Sequence, residues 1–267
     1  TLTNLRVRRG ARMKVNDQTN LTGTLEVSLG GEFISVKRVI ASTIDVNNGG
    51  IVTQLPTTAT AFFKVDLSAT TLTVDATSKI DVMALGFLGG GKPGNPLPRI
   101  PFNNAGMTIG FQSGSTGQSG GGYGGLGGSS SGTSNPVYGD FRDPNEPGSG
   151  GAALFGDAGN GGGLIRIVAQ TLQLDGVIKA EGETPTFYGG GSGGGIRIDV
   201  GALRGTGQVT ANGAGSNNAG GGGGGRVAVY YQNTAGFDLA RITAFGGTGN
   251  AAPNGSAGTI YLQGPGR

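Results

Sequence analysis

The chain has 267 residues, of which 59 are glycine and only 13% are charged, and its formal net charge at pH 7 is +3. It contains no cysteine, histidine or tryptophan, which excludes disulfides, thiol and imidazole catalysis and the common zinc sites. Disordered chains are highly charged and poor in β-branched residues, and collagen needs glycine at every third position. The composition therefore predicts an ordered fold with many positions that have no room for a side chain.

Basic residues near the N-terminus form one dense cluster and a later pair. They are Arg6, Arg8, Arg9, Arg12 and Lys14, followed by Lys37 and Arg38. A nucleic acid, a lipid or an acidic glycan would suit such a cluster, but we favour a solvated strand face or a subunit contact. No aromatic residues alternate with these charges, as single-stranded nucleic-acid binding requires. We therefore predict no nucleic-acid partner.

The sequence contains neither a membrane-spanning apolar run nor a recognisable signal peptide. There is no run of 18 apolar residues, so we predict no membrane insertion. The first residues, TLTNLRVRRG, lack the order of charge, apolar run and cleavage site of a signal peptide. We expect either a mature product or a piece of a longer protein.

Residues 1–88 repeat a short motif of alternating apolar and polar residues. It starts at Leu5, Leu25, Ile44, Phe63 and Ile80, in steps of 20, 19, 19 and 17 residues. This alternation is typical of a strand with one buried face. Twenty residues suit one coil of a parallel β-helix, with three short strands per coil and coils about 4.8 Å apart. Stability then comes from neighbouring coils.

Residues 89–162 form a glycine-rich insertion that carries SGGGYGGLGGSSSGTSNP and VYGDFRDPNEPGSGG. A structureless loop of roughly 70 residues is uncommon in a compact repeat protein. We expect instead an ordered layer, packed on the coils together with the glycine-rich loops at 189–195 and 220–225. Buried backbone N–H and C=O groups in this layer would need hydrogen-bond partners there.

Residues 163–267 repeat a longer unit in steps of about 31 residues. The equivalent residues are Ile167, Ile198 and Val229 in one set and Ala180, Ala211 and Ala244 in the other, with Ala244 two residues late. Each unit has about 20 residues of strand-forming sequence and about 11 residues of glycine-rich loop, so one kind of coil would run through both halves of the chain. A half-unit, AGTIYLQG, closes the array.

We therefore predict an all-β fold, a parallel β-helix (β-solenoid) with glycine-rich loop insertions. A β-sandwich or β-prism is one alternative, because the turns Asn212-Gly213 and Asp175-Gly176 would suit antiparallel hairpins. A layer of polyproline-II glycine strands is the other. The constant spacing of a whole unit favours the β-helix.

A series of strings between about Gly120 and Leu262 is specific in its order and spacing. The strings are YGDFRDPNEPGSGG, GNGGGLIRI, LDGVIKAEG, GGGSGGGIRI, GTGQVTANG, GGGGGGRVAVYY and AGTIYL. They resemble a glycine-rich module of very large secreted or surface-anchored bacterial proteins, and residues 2–88 resemble the β-helical coils that often precede such modules. The resemblance implies an extracellular or cell-surface role in structure or adhesion, and it brings no catalytic residue.

Five oxygen-bearing side chains around two prolines form a candidate metal site. They are Asp140, Asp143, Asn145, Glu146 and Asp157. Ca²⁺ takes six to eight oxygen ligands from flexible loops, although the spacing fits neither an EF-hand nor the nonapeptide calcium repeat. The alternative is a turn-rich loop whose carboxylates accept backbone hydrogen bonds. Calcium is the one cofactor that we consider.

Aromatic residues and acids provide the remaining candidates. Tyr138 and Tyr188 could stack on a glycan, but packing over glycine strands is the interpretation we favour. A polysaccharide lyase or hydrolase would need paired acids, and Asp175 and Asp199 fall at non-equivalent positions of neighbouring coils. Asp45 and Asp81 share a motif position two coils apart. Threonine pairs do not recur at one position in every coil, so we predict no ice-binding ladder.

Our leading hypothesis is an extracellular structural protein, not an enzyme, that assembles with itself into a filament, sheath or matrix. Coil-like sequence runs to both ends, and a solenoid exposes unpaired strand edges there. A carbohydrate-binding cell-surface adhesin with a surface polysaccharide as its partner is the first alternative. A β-helical polysaccharide lyase or hydrolase is the second.

Overall fold

The computed structural model describes residues 2–97, 103–234, 236–250 and 252–266, and these residues form an all-β structure with parallel sheets. Residues 98–102 of the predicted insertion lie outside the described residues. In chain order the strands are β1 (Leu5–Arg8), β2 (Arg12–Val15), β3 (Thr19–Asn20), β4 (Thr24–Ser28), β5 (Glu32–Ser35), β6 (Val39–Asn47), β7 (Ile51–Gln54), β8 (Val65–Val74), β9 (Lys79–Asp81), β10 (Met107–Thr108), β11 (Gln112–Ser113), β12 (Leu164–Leu174), β13 (Val177–Lys179), β14 (Gly195–Arg204), β15 (Gln208–Thr210), β16 (Arg226–Asn233), β17 (Ile242–Thr243) and β18 (Thr259–Gln263). Short 3₁₀ turns lie at Ile109–Phe111 and Leu239–Arg241.

The chain alternates between two parallel sheets. The first sheet has the order β1-β4-β6-β8-β12-β14-β16-β18, with the short β3 beside β6, and the second has the order β2-β5-β7-β9-β13-β15-β17. Asp175-Gly176 connects β12 of the first sheet to β13 of the second, and Asn212-Gly213 follows β15. Neither turn joins an antiparallel hairpin, so the hairpins that motivated the sandwich alternative are not formed; the described antiparallel pair is β10 with β11.

The long strands of the first sheet bend at one shared position. The register between neighbouring long strands is interrupted at Ser42, Thr70, Gln170 and Gly201. In β6 the inward alternation shifts at this point, because Ser42 and Thr43 both face away from the core between the buried Ala41 and Ile44. Each long strand therefore has two straight segments separated by a corner.

Columns of apolar side chains, one from each strand, build the core. The predicted equivalence of Ile167, Ile198 and Val229 is confirmed, and Leu67 and Leu262 extend the same column. The alanine set is also in register: Ala180 N donates to Thr210 O, and Ala211 N donates to Thr243 O. The second sheet contributes one column of its own, Phe33, Val52, Ile80, Ile178, Val209 and Ile242. All of these residues except Leu262 are buried.

The last two N-terminal motifs are not in the predicted register. Leu5, Leu25 and Ile44 share one column, but the next residue in that column is Leu72 and not Phe63. Ile80 lies in the second sheet, in register with Val52. The reason is the long connection between β7 and β8. Because of it, the residue in register with Ile44 comes 28 residues later, at Leu72, and not 19 residues later, at Phe63.

The glycine-rich segments form an ordered layer joined by backbone hydrogen bonds. Gly121 N donates to Gly190 O over 2.9 Å, and Gly124 N donates to Gly224 O over 3.0 Å. Within the insertion, Gly148 N donates to Gly162 O over 2.8 Å. The insertion thus pairs with both loops at 189–195 and 220–225, and its buried backbone groups find partners there.

Candidate functional site

Both parallel sheets end in strands that have a neighbour on one side only within the described residues. β1 and β18 end the first sheet, and β2 and β17 end the second. Thr19 N donates to Arg38 O and Leu21 N donates to Ile40 O, so the N–H of Asn20 between them points to the other side of β3. Backbone groups at such edges are free to pair with another strand.

Apolar side chains of the core columns are partly exposed in two of the strands that end the sheets, β18 and β2. Ile260 of β18 is 44% exposed, although Val65, Ile165, Ile196 and Val227 in the same column are 0% exposed. At the opposite end Met13 of β2 is half-buried, and its neighbour Phe33 is fully buried. Inward-facing apolar side chains are therefore left partly in water, since no further strand among the described residues covers them.

The open edges at the two ends lie in matching register. Thr19 of β3 pairs with Val39, whose column continues through Leu67 to Leu262 of β18. Met13 of β2 belongs to the column that ends at Ile242 of β17. A second copy placed along the stacking direction would therefore set Met13 on Ile242, an apolar contact, and Thr19 on Leu262.

The basic cluster at the N-terminal edge is partly neutralised by acids of the neighbouring strands β4 and β5. Arg6 and Arg8 both form ion pairs with Glu26, and Arg12 lies 3.1 Å from Glu32. These pairs match the predicted solvated strand face, and the cluster borders the open edge of β1 and β2.

The candidate calcium ligands are engaged with protein groups. The carboxylate of Asp143 lies 2.6 Å from Arg197 Nη1 and 3.3 Å from Arg166 Nη1. Asp140 accepts a hydrogen bond from its near neighbour, the backbone N–H of Arg142, as the turn-rich alternative predicts.

The other three candidates also have contacts within the protein. Glu146 accepts from the backbone N–H of Asn145, and Asp157 lies beside Gly91. Among the described residues no three Asp, Glu, His or Cys side chains are placed to hold a metal ion. Calcium binding stays a prediction, to be tested by melting the chain with calcium and with a chelator.

Acidification is expected to destabilise the chain through Asp143. Burial raises the pKa of Asp143, but the hydrogen bond from Arg197 and the charges of Arg197 and Arg166 outweigh it, so the pKa is lowered. A carboxyl with a lowered folded-state pKa stabilises the fold above its unfolded pKa of about 4 and loses that contribution as the pH falls further.

The melting temperature should therefore fall below about pH 4, and the fall should be smaller in Asp143→Asn. Thermal melts of both proteins at pH 6 and pH 3 measure this difference. An equal fall in the two proteins would show that Asp143 does not contribute.

The two candidate glycan-stacking tyrosines pack within the protein. Tyr138 donates a hydrogen bond to Pro147 O over 2.6 Å, and its ring centroid lies 4.8 Å from that of Tyr123. Burial raises the pKa of the Tyr138 hydroxyl. The ring of Tyr188 lies over Gly156. Both contacts are of the packing kind that we favoured, and glycan stacking by these rings stays a prediction.

The candidate acids for glycoside chemistry have structural partners. Asp175 accepts from Gln173 Nε2 over 2.7 Å, and Asp199 accepts from Arg197 Nε over 2.8 Å. Asp45 lies in the first sheet and Asp81 in the second, so their shared motif position does not correspond to a shared place in the fold.

A threonine column is a feature that the sequence did not reveal. Thr24, Thr43, Thr71 and Thr171 occupy one register position in four neighbouring strands. These are single threonines in four strands and not threonine pairs repeated along the whole sheet, and spacing could not reveal them because Thr71 and Thr171 are separated by the whole insertion. The column ends at Ala202 in β14.

Comparisons with known proteins add no relative. No helix among the described residues has the length and apolar character needed to span a membrane. The resemblance to glycine-rich modules of secreted bacterial proteins stays a prediction. The chain matches no family model, no curated protein and no solved structure.

Proposed function

We propose that this chain is an extracellular structural protein whose coils form a parallel β-helix and which polymerises head to tail into a filament, sheath or matrix. The β-helix is supported by the alternation of the chain between two parallel sheets. It is also supported by the corner in the long strands, since two segments of a long strand and one short strand make three sides per coil.

One observation carries the proposal of self-assembly: the strand edges at the two ends of the described sheets are open and lie in register. Stacking β3 of one copy on β18 of another would pair Thr19 with Leu262, and stacking β2 on β17 would pair Met13 with Ile242. The contact would extend the parallel ladders and cover Ile260, which in this register lies opposite Asp17. A contact between two different surfaces that does not close into a ring generates a fibre.

The extracellular location is a proposal that rests on the resemblance of the sequence to secreted glycine-rich modules. A non-enzymatic role is supported by the structural hydrogen bonds of the candidate acids Asp175 and Asp199. A carbohydrate-binding adhesin is the second candidate function, because one cavity combines cationic and aromatic side chains.

Replacing Ile260 by lysine is expected to abolish polymerisation while leaving the chain folded. An inward-pointing charge on an edge strand opposes pairing with another strand, and the terminal position allows the ammonium group to stay in water. Negative-stain electron microscopy and light scattering of the concentrated protein measure the fibres, and circular dichroism checks the fold.

Ile40→Lys is the matched control. Ile40 is 37% exposed, against 44% for Ile260, but it faces outward on β6, which is paired on both sides. Fibres should persist in this variant. Monodisperse monomers of the unmodified chain at high concentration would contradict self-assembly, and equal loss of fibres in both variants would contradict the assigned edge.

A further inference from the structure

A cavity of about 660 Å³ lies where the N-terminal coils meet the insertion. Its volume is within the range of roughly 300–1,000 Å³ that is typical of ligand pockets. It is lined by Asp17, Gln18, Val36, Lys37, Arg38, Phe62, Phe63, Lys64, Asp66, Asn145 and Leu164. Of these residues, Lys37, Arg38, Phe63 and Asn145 stand out in the sequence, but no pattern there brings them together.

Three cations line this cavity, and a buried acid holds two of them. Asp66 is 8% exposed, and its carboxylate lies 3.8 Å from Arg38 Nε and 3.3 Å from Lys64 Nζ. Its Oδ1 makes no hydrogen bond to any described residue, so the ion pair with Arg38 is its polar contact. Asp66 and Asp17 offset two of the three positive charges of Lys37, Arg38 and Lys64. The cavity wall therefore has a net positive charge, and Asp66 positions the side chains of Arg38 and Lys64.

An aromatic ring lies beside these cations with one side open. The ring centroid of Phe62 is 6.2 Å from that of Phe87, edge to face, and 6.4 Å from that of Phe111. These contacts fix the ring, yet Phe62 remains 40% exposed. An exposed and immobilised ring offers an apolar face at a small cost in conformational entropy.

We propose that this cavity binds an acidic sugar unit, a hexuronate residue of an anionic polysaccharide. The carboxylate would bind Arg38 and Lys64, since ion-assisted hydrogen bonds to carboxylate are the strong ones. The apolar face of the sugar ring would pack on Phe62. The side chains of Gln18 and Asn145 supply donors and acceptors for the sugar hydroxyls.

The test is a calorimetric titration of the 267-residue chain with trigalacturonate and with its methyl ester, which keeps the rings and removes the charges. Trigalacturonate should bind, and the ester should bind about tenfold more weakly. Arg38→Gln should weaken trigalacturonate binding by about the same factor. The matched control is Arg204→Gln, because Arg204 is exposed on β14 outside the cavity.

Phe62→Leu separates sugar binding from simple attraction of anions. It keeps the charge of the wall and an apolar side chain but removes the ring, so trigalacturonate should bind more weakly. Unchanged affinity in Phe62→Leu or in Arg38→Gln would overturn the proposal, and so would equal binding of the ester. Tighter binding of an oligothymidylate than of trigalacturonate would assign the cavity to a nucleic acid and overturn it as well. Fibre formation is measured separately, so failure of one proposal does not decide the other.

Discussion

Replacing Gly191 by alanine is expected to lower the free energy of unfolding by about 4 kcal/mol or more, or to prevent folding. Gly191 lies inside the glycine layer, and a Cβ on it would overlap the backbone carbonyl of Asn160. Main-chain atoms cannot move aside as the end of a flexible side chain can. The layer would therefore have to separate at this point, with loss of its backbone hydrogen bonds.

Two further segments, at Gly182 and at Gly222, also pack against the backbone of Gly191, so separating the layer there would disrupt their contacts too. A Cβ on Gly182 or on Gly222 would overlap the carbonyl of Gly191 itself. That carbonyl also accepts a hydrogen bond of 2.9 Å from Ala214 N. Gly191 is thus enclosed by backbone from three segments, and any displacement that relieves one overlap affects the other contacts.

Gly215→Ala is the matched control for Gly191→Ala. The nearest atom to a Cβ on Gly215 is the side-chain Oγ1 of Thr248, at 3.0 Å, which can rotate away, and the nearest backbone atom is the Thr248 carbonyl oxygen at 3.3 Å, which overlaps far less than the Asn160 carbonyl does at Gly191. We expect a loss of less than about 1 kcal/mol. Denaturant unfolding followed by circular dichroism measures both variants. Equal stability of the two would show that the layer tolerates a methyl group at its centre.

Leu72→Ala is expected to lower the free energy of unfolding by about 2–5 kcal/mol. Leu72 is fully buried, in register with Ile44 on one side and Leu172 on the other. Removing its side chain leaves a cavity in a column that the neighbouring coils cannot close, because their spacing is set by the backbone ladders.

Leu126→Ala removes the same atoms from a residue that is 48% exposed, and it should change stability by no more than about 0.5 kcal/mol. Phe63→Ala tests the register directly, since the even spacing of the motifs would place Phe63 in this column. A larger loss for Phe63→Ala than for Leu72→Ala would support the spacing of the sequence motifs and contradict the observed register.

The hydrogen bonds of some candidate calcium ligands could be predicted from local sequence. Asp140 and Glu146 follow the turn-rich interpretation because each carboxylate accepts a hydrogen bond from a backbone N–H one or two residues away. Asp143 does not, because its partners Arg166 and Arg197 come from two later strands, β12 and β14. The cavity lined by Phe62 and Arg38 also joins distant segments, and no local pattern marks an aromatic ring that packs on Phe87 and Phe111.

Local alternation and repeat spacing are enough to establish an all-β chain and the equivalence of Ile167, Ile198 and Val229. The physical reason is that strands with one buried face carry their period of two in the sequence itself. The neighbours of each strand depend instead on the lengths of the connections and on coils meeting in space. The ordered glycine layer is expected from the sequence, but the backbone groups that enclose Gly191 are not. Those contacts and the alignment of Thr71 with Thr171 arise only when the strands become neighbours in space, because no local pattern relates these residues.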